Sequence, residues 1–264
     1  MHLADFTDNL KPTWRLIPLL QATGQVQMAI DRWLLNQHQA GKQPPVLRFY
    51  TWASPTLSLG YHQRRWPEFW EQLTWQEKPV DLVRRPTGGR AVLHQGDLTY
   101  MVVTSGLTGK RLDIYQAICE FLIQGWRSLG ISLNYGSAGR EYTHSPSCFG
   151  TATGADLVSV EGYKLIGSAQ LQQKNATLQH GSMRLSRDTE LFTQVFGEPA
   201  PPIVKLPIQQ EGDALIQTVV EALTEAAGCC FGIELVPQPL SKIEWEEILA
   251  QPDLPIRSEV RVRA

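Results

Sequence analysis

Two short stretches hold the residue types that could carry chemistry. The first is Ser145-Pro146-Ser147-Cys148-Phe149-Gly150, where a thiol sits among small polar residues. A structural cysteine usually lies in an apolar element, as Cys119 does, so the setting of Cys148 favours reactivity. Sixteen residues later, Lys164 heads the apolar run Leu165-Ile166-Gly167. Such a lysine is either a solvated edge residue or one that points into a pocket, where burial tunes its proton exchange. A thiol and an amine that meet form a thiolate–ammonium pair, and the thiolate is the competent nucleophile.

The second stretch is residues 84–100, RRPTGGRAVLHQGDLTY. Gly88 and Gly89 carry no Cβ, so the backbone there can approach a ligand closely. Arg84, Arg85 and Arg90 fall within seven residues and can face anionic or carbonyl-rich groups. The plain alternative is a glycine hairpin with solvated arginines. His94 precedes Asp97 and reads either as a structural hydrogen-bonder or as a chemical group; His62 and His180 carry the same two readings. The segment is neither G-x-x-x-x-G-K-[ST] nor G-x-G-x-x-G, so neither standard nucleotide loop is present.

The four cysteines, at 119, 148, 229 and 230, form no C-x-x-C and lack zinc-ligand spacing. No metal or cofactor is expected. A disulfide framework is equally out of keeping with a chain of 264 residues, which points to a reducing, cytoplasmic compartment. Unbroken apolar runs such as Leu16–Leu20 fall far short of the ~18 residues that span a bilayer, so no membrane partner is expected. The N-terminus lacks the basic and apolar regions of a secretory signal. Net charge is −2, which gives no reason to expect nucleic acid as a partner. The charge is uneven. Residues 1–150 carry 15 Lys and Arg against 11 Asp and Glu, and residues 151–264 carry 9 against 15, so an acidic partner would be steered to the first part.

The elements that must hold these residues are legible in outline. Helical periodicity marks 25–40, 113–129, 213–227 and 241–250, with Asp113 and Ser241 as starts of capping boxes. Short β-prone runs mark 46–50, 56–60, 80–84, 98–103, 156–160, 164–169 and 177–183, with Glu161-Gly162-Tyr163 as a hairpin turn. The strand after the arginine–glycine turn is expected to resume at Leu98. Four prolines in 197–207 mark a boundary, beyond which a helical segment of about 208–264 reads as an appendage. Hairpins mixed with a few helices predict an α+β fold with a mainly antiparallel or mixed sheet flanked by helices.

RRPTGGRAVLHQGDLTY and GYKLIGSAQ together resemble the biotin/lipoate protein ligase and transferase family, over about Trp14 to Gly181 and including VLRFYTWASPTLSLGYHQ. The resemblance implies a single catalytic domain over 1–264, with its catalytic part at about 14–200, of the kind shared by class II aminoacyl-tRNA synthetases and biotin synthetases. SPSCF, placed before the lysine, is similar to the octanoyltransferase class in which the cysteine precedes the lysine. That class implies Cys148 as nucleophile and Lys164 as its acid/base partner. It implies that Arg85, Gly88 and Gly89 line the acyl site and that His94 supports their loop. Octanoyl-acyl carrier protein would be the donor. A lipoyl domain, of glycine-cleavage H protein or dehydrogenase E2 type, would be the acceptor. The other readings of the same resemblance are an ATP-dependent lipoate ligase, an octanoyl amidotransferase between lipoyl domains, and a non-catalytic acyl-binding accessory subunit.

Overall fold

The computed structural model describes residues 11–136, 156–186 and 188–252. Its strands are β1 (Thr13–Ala22), β2 (Val46–Trp52), β3 (Thr56–Leu59), β4 (Thr74–Trp75), β5 (Lys78–Pro79), β6 (Asp81–Arg84), β7 (Val92–His94), β8 (Asp97–Ser105), β9 (Leu133–Tyr135), β10 (Asp156–Ser159), β11 (Lys164–Gln173), β12 (Ala176–Arg184) and β13 (Glu234–Pro237). Its α-helices are α1 (Gly24–Gln39), α2 (Arg111–Ser128), α3 (Thr189–Phe196), α4 (Gly212–Phe231) and α5 (Lys242–Leu249). The fold is α+β: a mixed eight-stranded sheet, ordered β13-β1-β2-β8-β12-β11-β10-β9, with helices on both faces. A smaller sheet, β6-β3-β7, stands beside it.

The central strand β8 reads Leu-Thr-Tyr-Met-Val-Val because both of its faces are covered. Its side chains alternate accordingly. Leu98, Tyr100 and Val102 join the core made with α2 and α4, while Met101 and Val103 join the core made with α1. The hairpin between β10 and β11 forms as expected. Gly162 supplies φ +84, and the Ser159 N–H donates to the Tyr163 carbonyl at 2.8 Å.

Several features depart from the sequence reading, among them the unmarked short strands β4, β5, β9 and β13. The chain after the arginine–glycine turn first makes β7, which pairs with β3 in the small sheet, and only then enters the main sheet as β8. β1 was not expected as a strand because Pro18 interrupts its pattern; a register shift between Ile17 and Leu20 absorbs the proline. α3 was not expected either, although Asp188 caps it through the Glu190 and Leu191 N–H groups and Gly197 ends it in a left-handed turn. Asp113 is not a cap but the third residue of α2, where its carboxylate accepts from the Lys110 N–H at 2.9 Å.

The segment beyond the proline-rich stretch is built into the same core. A Cβ on Gly125 of α2 would lie 3.1 Å from Leu223 Cα of α4, so the glycine sets how closely these helices approach. β13 adds to β1 in parallel. α5 is fastened by buried Arg15, which donates to Glu244 at 2.6 and 2.9 Å and to the carbonyls of Gln238 and Pro239. By length and composition alone α4 could cross a membrane, which the sequence reading did not anticipate. In the fold its Val219, Leu223 and Ala227 stripe packs into the core.

Candidate functional site

Register across the main sheet lays out the floor of one cleft of about 1070 Å³. Tyr50, Thr99, Ser182, Gly167 and Asp156 are directly opposed partners on five successive strands, and all five line the cleft. Opposed residues share a face of the sheet, so these five form one row. The next row on that face contains Arg48, Met101, His180 and Ala169, of which His180 and Ala169 line the cleft. On the opposite face of the same strand glycine is required between Tyr100 and Ser168: a Cβ on Gly181 would lie 2.6 Å from Tyr100 Cε1 and 2.9 Å from the Gly167 carbonyl.

The wall is the turn from β6 to β7, and its arginines are structural braces. Arg85 is buried; its guanidinium donates to the carbonyls of Ser58, Gly88 and Arg90 at 2.7, 2.8 and 2.7 Å. Arg84 is buried too and donates to the carbonyls of Gly60 and Gln63 at 2.7 and 2.8 Å. Gly88, Gly89 and Arg85 all border the cleft, so the turn presents backbone to a ligand while Arg85 fixes its shape. Gly89 has φ +99, a conformation that favours glycine. A Cβ on Gly60 would lie 1.9 Å from the Gly89 carbonyl oxygen, so Gly60 is a second obligatory glycine, one the sequence reading did not single out.

Two imidazole–carboxylate pairs secure the turn. His94 Nδ1 lies 2.8 Å from Asp97 Oδ2, and its Nε2 lies 2.8 Å from Ser58 Oγ, which also accepts from Arg85 at 3.2 Å. Its ring stacks on Trp52 at 3.8 Å. His180 Nδ1 lies 2.7 Å from Asp31 Oδ2, and its Nε2 lies 2.7 Å from Thr87 Oγ1. Burial lowers the His180 pKa against the opposing pull of Asp31, which favours the neutral ring. A neutral His180 donates from Nδ1 to Asp31 and accepts at Nε2 from the Thr87 hydroxyl. Asp31 in turn pairs with Arg48 at 3.3 Å and accepts from the Tyr50 hydroxyl at 3.1 Å. Both histidines, Ser58 and Trp52 border the cleft.

Lys164 borders the same cleft with 5% of its side chain exposed, and its Nζ lies 3.0 Å from Asp156 Oδ1. The pocket alternative for this lysine is therefore the one the fold adopts. Asp156 is a site residue that the sequence reading placed only as the start of a strand. Tyr115 on α2 lines the cleft as well, and burial pushes its hydroxyl pKa well above the ordinary value. Cys148 lies outside the described residues. Cys119 is buried against Gln179, and burial pushes its thiol pKa up to about 12, which keeps it protonated and inert. Cys229 and Cys230 are exposed near the end of α4. Among the described residues no group of three His, Cys, Asp or Glu side chains is placed to hold a metal ion.

A sheet-floored cleft walled by an arginine-braced glycine turn, with a lysine on its facing hairpin, places the chain in a family. Residues 23–236 match the lipoyl protein ligase A/B catalytic domain, and the chain belongs to that family. It is 37% identical over 244 residues to octanoyltransferase LipM of Kyrpidia tusciae, covering 87% of this chain and 85% of that one. It is 38% identical over 201 residues to octanoyltransferase LipM of Bacillus subtilis, covering 72% of each. Its fold is that of lipoate-protein ligase A bound with ATP, with TM-score 0.71 and 20% identity over 90% of this chain and 92% of that one. A bipartite lipoate protein ligase from Thermoplasma acidophilum shares the fold with TM-score 0.66 and 22% identity over 90% of each chain.

Proposed function

We propose that this chain is an octanoyltransferase of protein lipoylation that takes octanoyl from acyl carrier protein, holds it on Cys148 as a thioester, and delivers it to a lysine of a lipoyl domain. The whole chain acts as one catalytic domain, with β13 and α5 closing its sheet and core. The observation that carries this reading is Lys164, buried at the cleft wall beside Asp156, in a chain whose relatives over most of its length are named octanoyltransferases.

Cys148 attacks the thioester carbonyl of the donor, and the carrier thiol leaves with a proton from the Lys164 ammonium. The acceptor amine then attacks the Cys148 thioester and gives up a proton to Lys164. Conversion of a thioester to an amide is downhill, so no nucleotide is needed. The turn at Gly88 and Gly89 lies along the acyl group, with Arg85 and the His94–Asp97 pair holding its shape. The apolar side chains of Met28, Leu35, Trp52 and Val92 line the same cleft and offer a place for the acyl tail. Arg84 and Arg85 are engaged internally, which leaves exposed Arg64 and Arg65, in the loop after cleft residues Tyr61 and His62, to meet the acidic carrier.

The test is transfer from octanoyl-acyl carrier protein to an apo lipoyl domain without ATP or magnesium. Nucleotide-free formation of octanoyl-lipoyl domain is expected. Strict dependence on ATP, with free octanoate as donor, would overturn the reading.

A further inference from the structure

We propose that Asp156 is a positioning residue for the transfer chemistry: its carboxylate aims the Lys164 ammonium into the cleft, and a β-bulge at Leu165 brings the two side chains together. The inference rests on the role proposed above for Lys164 and goes beyond it by naming what sets that lysine.

Register shows why the bulge matters. Asp156 opposes Gly167 and Leu157 opposes Ile166, yet Val158 opposes Lys164, so Leu165 is the extra residue. Without it, Lys164 would oppose Ser159 and share the face of Leu157, which belongs to the apolar core with Ile166. With it, Lys164 shares the face of Val158 and Asp156, where the cleft lies. Leu165 stays in the core with Leu157 and Ile166. Asp156 is 4% exposed and Lys164 6%, and both border the cleft. An apolar pair of similar volume would hold two strands together at least as well as a buried ion pair does. Stability of the hairpin is therefore a weak reason for these charges, whereas a lysine that must be held in place to give and take a proton is a sufficient one.

The charge balance is complete. In the first half-reaction the Cys148 S–C bond forms, the carrier C–S bond breaks, and a proton passes from Lys164 Nζ to the leaving sulfur. In the second, the acceptor C–N bond forms, the Cys148 S–C bond breaks, and a proton from the acceptor nitrogen returns to Nζ. Asp156 remains a carboxylate throughout and accepts from Nζ in both of its states.

The test is a double-mutant cycle on the full chain, reading single-turnover formation of octanoyl-enzyme from octanoyl-acyl carrier protein by intact mass. Asp156→Asn keeps the shape and removes the charge. Its acylation rate should fall roughly ten- to hundredfold, with the half-saturating carrier concentration within about twofold of wild type. Asp156→Glu should recover most of the loss. In a Lys164→Ala background, Asp156→Asn should change the remaining rate by less than about twofold, because the residues act as one unit. A wild-type rate in Asp156→Asn, or equal losses in both backgrounds, overturns the proposal. Should Asp156→Asn lose its cooperative melt, the same cycle is run with Asp156→Ser, which also removes the carboxylate, and additivity overturns the proposal there too. Cys148→Ala is measured alongside. An adduct that survives in Cys148→Ala removes the covalent reading itself. An adduct lost there but formed normally in Asp156→Asn removes this inference alone.

Discussion

The β6–β7 turn and the β10–β11 hairpin both bring basic side chains to the cleft, and they use them in opposite ways. In the turn, Arg84 and Arg85 point back into the protein and saturate backbone carbonyls. In the hairpin, Lys164 pairs with the Asp156 carboxylate and borders the cavity. The guanidinium suits the first task because its planar fork satisfies several carbonyls at once and never loses its charge. The ammonium suits the second because it can give and take a proton. The two regions thus differ in what their basic groups face, backbone carbonyls in the turn and a carboxylate at the cavity in the hairpin.

The sharpest way to break that comparison is to remove one basic group from each region. Arg85→Ala strands the buried carbonyl of Ser58 and unbraces the partly buried carbonyls of Gly88 and Arg90, and should cost about 2–4 kcal/mol of unfolding free energy in a denaturant titration. Lys164→Ala should keep a cooperative transition while slowing octanoyl-enzyme formation by roughly a hundredfold or more. If Arg85→Ala melts like wild type and loses only activity, the arginine is chemistry after all. Gly60→Ala probes the turn without touching charge. Its Cβ meets the Gly89 carbonyl, so a loss of about 1–3 kcal/mol with weaker transfer is expected, and an unchanged melting temperature would mean the turn is free to shift.

A third, smaller effect belongs to the fastening of α5. Hydrogen bonds from Arg15 hold the Glu244 carboxyl pKa down at about 2, below its ordinary value. A carboxylate depressed in the fold stabilises above its unfolded pKa, and that contribution fades as pH falls from about 4.5 towards 2. Glu244→Gln should therefore lower the midpoint of thermal unfolding at neutral pH and flatten its fall between those limits. An unchanged acid limb would place the pH sensitivity elsewhere. The smallest effect is at the rim. Arg64→Glu with Arg65→Glu should raise the half-saturating carrier concentration a few-fold at low salt and erase its salt dependence, since exposed charges are screened over about 10 Å at 0.1 M. Salt-independent kinetics in the wild type would remove these arginines from carrier docking.

The sequence disclosed the chemistry-bearing types more readily than their placement. Periodicity located α1, α2, α4 and α5 and most central strands, because apolar faces must repeat wherever a core is built. β1 was hidden by Pro18, whose cost is absorbed by a register shift that only the neighbouring strand can reveal. Gly60 was hidden because its constraint is the Gly89 carbonyl, remote in sequence. Asp31 and His180 lie 149 positions apart, and no local pattern joins them. Asp156 looked like an ordinary strand start, since the bulge at Leu165 that turns Lys164 towards it leaves no mark in a hydrophobic run. Arg85, Gly88, Gly89, His94 and Lys164 were legible as types and do border one cleft, but the inward direction of Arg84 and Arg85 was not.

The central claim, a covalent transfer through Cys148 assisted by Lys164, is tested most directly by intact-mass and peptide mapping after mixing the full chain with octanoyl-acyl carrier protein and no ATP. The account predicts one octanoyl group per chain, mapped to Cys148, absent in Cys148→Ala and slow to form in Lys164→Ala. Octanoyl transfer at the wild-type rate by Cys148→Ala would contradict it.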